Sequence, residues 1–329
     1  MTIAKRKNNH IEVCLREDVH SKVSNGFESY RIIHNALPEA DFETFSIETE
    51  FLGKKVSAPF LISSMTGGTE QGERINRNLA EAAGILNIPF AIGSQRIYLT
   101  NDKTSNLPYR KIAGNIPILA NLGAVQLNYG FGRDDCLRAV EMLDADALIL
   151  HLNPLQELIQ ANGDLNFSGI LKKIETLCAD FPVPVIVKEV GWGISSKNAK
   201  YLINAGVSMI DVAGAGGTSW SQVESKINNN HDSHVLADAF ADWGIPTAEC
   251  IRSIHEEYPT IPIIASGGIT NGVEAAKAIL LGAKIAGMAA TLLPAAAEGN
   301  TESVCNALIQ VIKQYKIAMF LNDGIENCA

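Results

Sequence analysis

The fold class this sequence predicts is α/β: a (β/α)8 TIM barrel with an N-terminal extension. Three observations predict it. Short apolar, β-rich runs alternate with amphipathic stretches of helical length, the pattern of a parallel sheet covered by helices. Three late runs end in glycines or other small residues, at Gly216-Gly217-Thr218, at Ser266-Gly267-Gly268 and at Gly287-Met288-Ala289. Backbone amides approach a phosphate closely where no side chain intervenes, and the last two loops of a barrel are where such a site is built. The chain has 329 residues, of which 47% are hydrophobic and only 6% aromatic, a composition that suits a layered Ile, Leu, Val and Ala interior.

Residues 1–57 precede the first barrel strand and are expected to cover the barrel mouth, with a helix over 11–19 and a hairpin over 45–55. Strands are then expected at 59–63, 88–93, 117–121, 147–151, 184–188, 209–212, 262–265 and 284–288. Each is a continuous apolar run, as strands buried on both faces require. Four begin at proline (Pro59, Pro117, Pro184, Pro262), where the missing N–H costs no ladder bond. Apolar residues recur at helical spacing over 74–86, 134–143, 168–178, 197–205, 248–258, 272–281 and 303–320. The polar segment 101–106 reads as a loop, and the Asn/His-rich stretch 228–232 as a mobile loop after the sixth strand. No short repeat or linker divides the chain, so residues 1–329 are expected to form one domain.

The formal net charge of −9 argues against nucleic acid as the main partner, and an anionic substrate would need a local cluster of cations. No apolar stretch reaches the roughly 18–20 residues that span a bilayer. The N-terminus lacks the apolar core of a secretory signal. Six cysteines form no CxxC pair, which fits a reduced cytoplasmic enzyme.

Chemistry in a barrel sits at the C-terminal ends of the strands. Those positions hold Ser64, Met65 and Thr66 after the first strand, and Ser94 and Arg96 after the second. Asn121 ends the third; His151, Asn153, Gln156 and Glu157 follow the fourth; Lys188 ends the fifth. Thr218, Trp220 and Glu224 follow the sixth, Gly267 and Gly268 the seventh, and Ala289 and Ala290 the eighth. Taken singly, the hydroxyl and amide residues are more often caps or turns, and Glu157 reads equally well as an acid at a helix N-terminus. The basic run at residues 5–7 reads on its own as a solvated tail.

In order, the strings RKNNHI from Arg6, MTGG at 65–68, SQR at 94–96, HLNPLQE at 151–157, VKEVGWG at 187–193 and GGTSW at 216–220 resemble the type 2 isopentenyl-diphosphate isomerases, the flavin-dependent isomerases of isoprenoid biosynthesis. The resemblance covers nearly the whole chain. It implies interconversion of isopentenyl and dimethylallyl diphosphate by a 1,3-allylic proton transfer, with reduced FMN, Mg²⁺ and NADPH as reductant. It implies a homo-oligomer, tetramer or octamer. By that resemblance Arg6, Lys7, His10, Ser94, Arg96 and Gln156 bind the diphosphate substrate, and Glu157 holds Mg²⁺. Ser64, Met65, Thr66, Ser94, Asn121, Lys188, Thr218, Gly267, Gly268, Ala289 and Ala290 bind FMN. Gln156, His151, Asn153, Trp220 and Glu224 stand nearest the chemistry. Asn8, Asn9 and the tail from Asn322 depart from the family pattern.

Two other classes remain to be separated. An FMN-dependent 2-hydroxy-acid oxidase needs a histidine base and an arginine clamp after the late strands, and no His-Gly-x-Arg run occurs there. IMP-dehydrogenase-like chemistry needs a cysteine after the sixth strand, which is absent. A non-catalytic flavin binder has no use for Arg96, Gln156 and Glu157 as a set.

Overall fold

The computed structural model describes residues 2–100, 107–228 and 230–328. Eight parallel strands close into a barrel: Phe60–Ile62, Phe90–Ala91, Ile118–Gly123, Ala147–His151, Val185–Lys188, Met209–Asp211, Ile263–Ala265 and Ile285–Met288. The eighth pairs with the first, Gly287 opposite Leu61, so no edge is left open. Seven fall within the predicted runs, and the third runs two residues past its predicted end, to Gly123.

Alternate residues of each strand face opposite sides. Phe60 and Ile62 pack outward against the helices, whereas Leu61 points into the barrel. The same alternation places Ala91, Leu119, Ala147, Ile149, Ile186, Met209, Ile264 and Ile285 in one interior cluster. Both faces are therefore apolar, which is why the runs show no polar alternation.

The seven predicted helices form with shifts of a few residues, for example Glu70–Leu86 for 74–86 and Thr301–Phe320 for 303–320. Three expectations need correction. The first helix spans Ile3–Arg16 rather than 11–19, because Thr2 caps it by accepting from Lys5 N and Ile11 anchors it in the core. The stretch expected as a mobile loop at 228–232 holds, apart from residue 229, which lies outside the described residues, the end of one helix, Trp220–Asn228, and the start of another, His231–Asp238; Asn230 caps the second by accepting from Ser233 N at 2.9 Å. The extension does not lie wholly over the mouth. Its hairpin, Thr49–Phe51 with Lys54–Val56, sits at the opposite end, where Phe51 and Val56 join the interior cluster. Lys54 there pairs with Asp146 at 2.6 Å, at the start of the fourth strand. The loop expected at 101–106 lies outside the described residues.

The departing C-terminal tail forms a strand, Asn322–Asn327, antiparallel to Tyr30–His34. Among the described residues no helix is long and apolar enough to cross a membrane.

Candidate active site

The site floor follows from the barrel's period of two. Stepping two residues beyond the interior apolar layer gives Ser63, Asn121, His151, Lys188, Asp211 and Ser266, with glycines at 93 and 287. The inward layer turns from apolar to polar at one level, at the C-terminal end of the strands. Asn121 donates from Nδ2 to Ser64 Oγ at 2.8 Å, which turns its Oδ1 toward His151 Nδ1 at 2.7 Å. His151 therefore carries its proton on Nδ1 and leaves Nε2 as an acceptor. Burial, with the charges of Lys188 and Lys7, lowers its pKa to about 4, so the ring is neutral. Lys188 Nζ reaches Ser266 Oγ at 3.3 Å and lies 3.5 Å from Asp211 Oδ2. Asp211 is fully buried and also accepts from Ser266 Oγ at 2.5 Å. Burial pushes its carboxyl upward against the opposing pull of Lys188.

The first helix brings Arg6, Lys7 and His10 over this floor. His10 stands four residues after Arg6 and three after Lys7, spacings that bring it onto the helix face of each. Lys7 Nζ donates to Gly67 O and Ser94 O, each at 2.8 Å. Burial and the neighbouring Arg6 and Arg96 lower its pKa to about 7. Arg96 Nη1 is held by Asp164 Oδ2 at 2.7 Å, while Nε of Arg96 and Nε of Arg6 are buried without a hydrogen-bond partner. Buried guanidinium donors without acceptors are what an anion would satisfy.

Trp220 and Glu224, four residues apart on Trp220–Asn228, meet the first helix from the other side. His10 Nε2 lies 2.9 Å from Glu224 Oε1, and its ring stands edge-on to Trp220 with centroids 5.2 Å apart. Glu224 Oε1 also accepts from Gln156 Nε2 at 2.9 Å. Asn153 Nδ2 donates to Gln156 Oε1 at 3.1 Å and to Glu157 Oε1 at 3.0 Å. The other oxygen of Glu157 takes Gln160 Nε2 and Asp164 N. Glu157, Gln156 and Asn153 come together because Pro154–Ile159 is a helix starting directly after the fourth strand.

At the far side, Gly216 (φ +118°), Gly267 (φ +106°) and Gly268 (φ +71°) adopt backbone that side chains disfavour. The two loops touch so closely that a Cβ on Gly217 would fall 2.7 Å from Gly268 N. Thr218, in that loop, bridges to His20. Ala289 and Ala290 begin the turn after the eighth strand, and Ala290 is exposed. Met65 is half-buried against the core. Thr66 is buried, and its carbonyl accepts from Asn76 Nδ2 at 2.9 Å.

These residues fit the groups the sequence suggests. The close-packed glycine turns carry no side chain that would keep a phosphate from their backbone amides, and Lys188, Asn121 and Ser64 stand at the same strand ends. Glu157 and the buried, unpartnered Asn153 Oδ1 offer oxygen to a hard cation. Among the described residues no group of three or more His, Cys, Asp or Glu could hold a metal. A Mg²⁺ here would draw its remaining ligands from substrate phosphates and water.

Sequence reasoning missed Asp164, Gln126, Asp211 and Ser266 as site residues. The last two were recoverable from the period-two register; Asp164 and Gln126 lie on connections with no periodic signal.

Comparison with known proteins places this geometry. Residues 153–328 match the FMN-dependent dehydrogenase family. An isopentenyl-diphosphate delta-isomerase of Nostoc sp. is 52% identical over 93% of this chain and 88% of its own length. The enzyme of the same name from Pseudescherichia vulneris is 50% identical over 97% and 92%. The chain belongs to the isopentenyl-diphosphate delta-isomerase family. It is an enzyme of that family, on a barrel also seen in a lactate oxidase from Pediococcus acidilactici. That structure aligns with TM-score 0.67 at 16% identity, over 96% of this chain and 89% of that one, a likeness of fold alone.

Proposed function

We propose that this protein interconverts isopentenyl diphosphate and dimethylallyl diphosphate, using reduced FMN and Mg²⁺. The observation that carries the reading is the meeting of two constellations at one barrel end. Arg6, Lys7 and Arg96 form a cation cluster, and the His10–Glu224–Gln156–Asn153–Glu157 chain of hydrogen bonds runs beside it.

The reaction adds a proton at C4 of isopentenyl diphosphate and removes one from C2. Arg6, Lys7, His10, Ser94 and Arg96 bind the diphosphate; Arg6 and Arg96 bring unpaired planar donors suited to phosphate oxygens. Glu157 would hold Mg²⁺, and Asn153, which donates to Glu157 Oε1, keeps that carboxylate aimed. Gln156 positions the reacting carbons through the amide that Glu224 fixes. Trp220 offers an aromatic face to positive charge developing on the alkene. Bound reduced FMN supplies an electron-rich ring and a proton-transferring nitrogen. Ser64, Met65, Thr66, Ser94, Asn121, Lys188, Thr218, Gly267, Gly268, Ala289 and Ala290 would hold it. His151, kept neutral, orients Asn121 instead of acting as an acid.

We extend the same reading to NADPH as reductant, a cytoplasmic setting, and a tetramer or octamer of single-domain chains in which residues 1–57 serve both barrel ends. An anaerobic assay with isopentenyl diphosphate, Mg²⁺, FMN and a reductant tests the central reading. Dimethylallyl diphosphate forms only when flavin is reduced; absence of product with FMN bound refutes it.

A further inference from the structure

Asp164 stands between the two charged halves of the site. Its Oδ2 holds Arg96 Nη1 at 2.7 Å and takes a second bond from Gln126 Nε2 at 2.9 Å. Its backbone N–H donates to Glu157 Oε2 at 2.8 Å. One residue therefore touches both the guanidinium that faces a phosphate and the carboxylate that faces a cation. It sits on the connection after Pro154–Ile159, five residues past that helix, and sequence reading gave it no role.

We propose that Asp164 is a positioning residue that sets Arg96 for the diphosphate and ties that setting to Glu157; this rests on the function proposed above. The geometry gives the reason. A guanidinium has five donors arranged in a planar fork. Asp164 occupies Nη1 alone, which leaves Nε, buried and unpartnered, with the adjoining Nη2 as a free edge. That edge is the bidentate face a phosphate uses. Gln126 fixes the Asp164 oxygen from behind, so the fork is held by a braced carboxylate rather than a free one. The Asp164 side chain is 15% exposed and that of Arg96 25%, so the pair is only partly screened by water.

A bare counterion role predicts the opposite sign. If Asp164 merely competed with the diphosphate for Arg96, neutralising it would tighten binding. If it positions Arg96, neutralising it frees the fork to swing and weakens binding.

The experiment measures binding of inorganic pyrophosphate with Mg²⁺ by calorimetry on the flavin-loaded protein. The variants are Asp164→Asn, Asp164→Glu, Arg96→Gln and the double Asp164→Asn/Arg96→Gln. We expect Asp164→Asn to weaken binding about tenfold, the scale of one charge-assisted hydrogen bond. Asp164→Glu, which keeps the charge, regains most of the loss. In the Arg96→Gln background Asp164→Asn has almost no further effect, since the residue it positions is gone. Tighter or unchanged binding in Asp164→Asn overturns the proposal, and so does an equal loss in both backgrounds, which a general structural defect would give. Failure of the unaltered protein to bind pyrophosphate at all instead overturns the diphosphate site itself.

Discussion

His10 Nε2 and Glu224 Oε1 lie 2.9 Å apart, and this contact joins the first helix of the chain to the helix that follows the sixth barrel strand. The same oxygen holds Gln156, so the first helix and the helix after the fourth strand share one carboxylate. Glu224 is 1% exposed, which gives water little access to these bonds.

Replacing Glu224 with Gln keeps an acceptor but removes the charge that orders His10 and Gln156. The expected result is a fall in kcat of about 100-fold, the ordinary scale for disturbing a positioned proton-handling group, with little change in KM. Steady-state kinetics under anaerobic conditions give the split. A rise in KM alone would mean that Glu224 serves only to hold the helix.

Lys7 makes diphosphate affinity depend on pH. Its pKa is lowered from 10.5 to about 7 by burial and by Arg6 and Arg96. A bound diphosphate favours the ammonium and raises that value again. Between the two values binding takes up a proton. Affinity is therefore full below about 7 and falls as pH rises above it, by at most about tenfold per unit. Lys7→Arg, permanently charged, should flatten this profile in a pyrophosphate titration.

Gly268 cannot carry a side chain. Its φ is +71°, and a Cβ there would overlap the carbonyl of Gly216. Gly268→Ala should lose about 1–3 kcal/mol of stability through backbone strain and separate the two glycine turns. Purified protein should be colourless with a lowered Tm, whereas the distant Gly130→Ala should keep its flavin.

His151 should make the fold acid-sensitive. Its pKa falls from 6.5 to about 4 on folding, because burial and two lysines oppose the charged ring. The unfolded chain then binds the proton first, so stability is lost as pH drops from about 6.5 toward 4. Urea unfolding across this window should show a smaller slope in His151→Asn.

The barrel was legible because its strands are apolar on both faces and begin at prolines. The site floor was legible where a polar residue ends such a run, as at Asn121, His151 and Lys188. The first helix was misplaced because residues 4–10 are mostly polar, with no apolar period; side-chain contacts such as Gln71 Nε2 to Glu12 at 2.8 Å and Arg16 to Glu298 at 2.6 Å hold it down instead. The Asn-rich stretch resembled a loop because asparagine serves turns and helix caps alike. The last strand pairs Tyr30 with Asn327, a partner that no local pattern can name.

That terminal pairing bears on how the protein can be handled. Cys328 N bonds Ser29 O at 2.8 Å, so the end of the chain is pinned beside the outer strand Tyr30–His34. Cys328 is also the one exposed thiol among the six cysteines. A maleimide dye or a solid support attached there would be fixed to the strand pair. Cys328 should therefore label ahead of the partly buried Cys14 and Cys178.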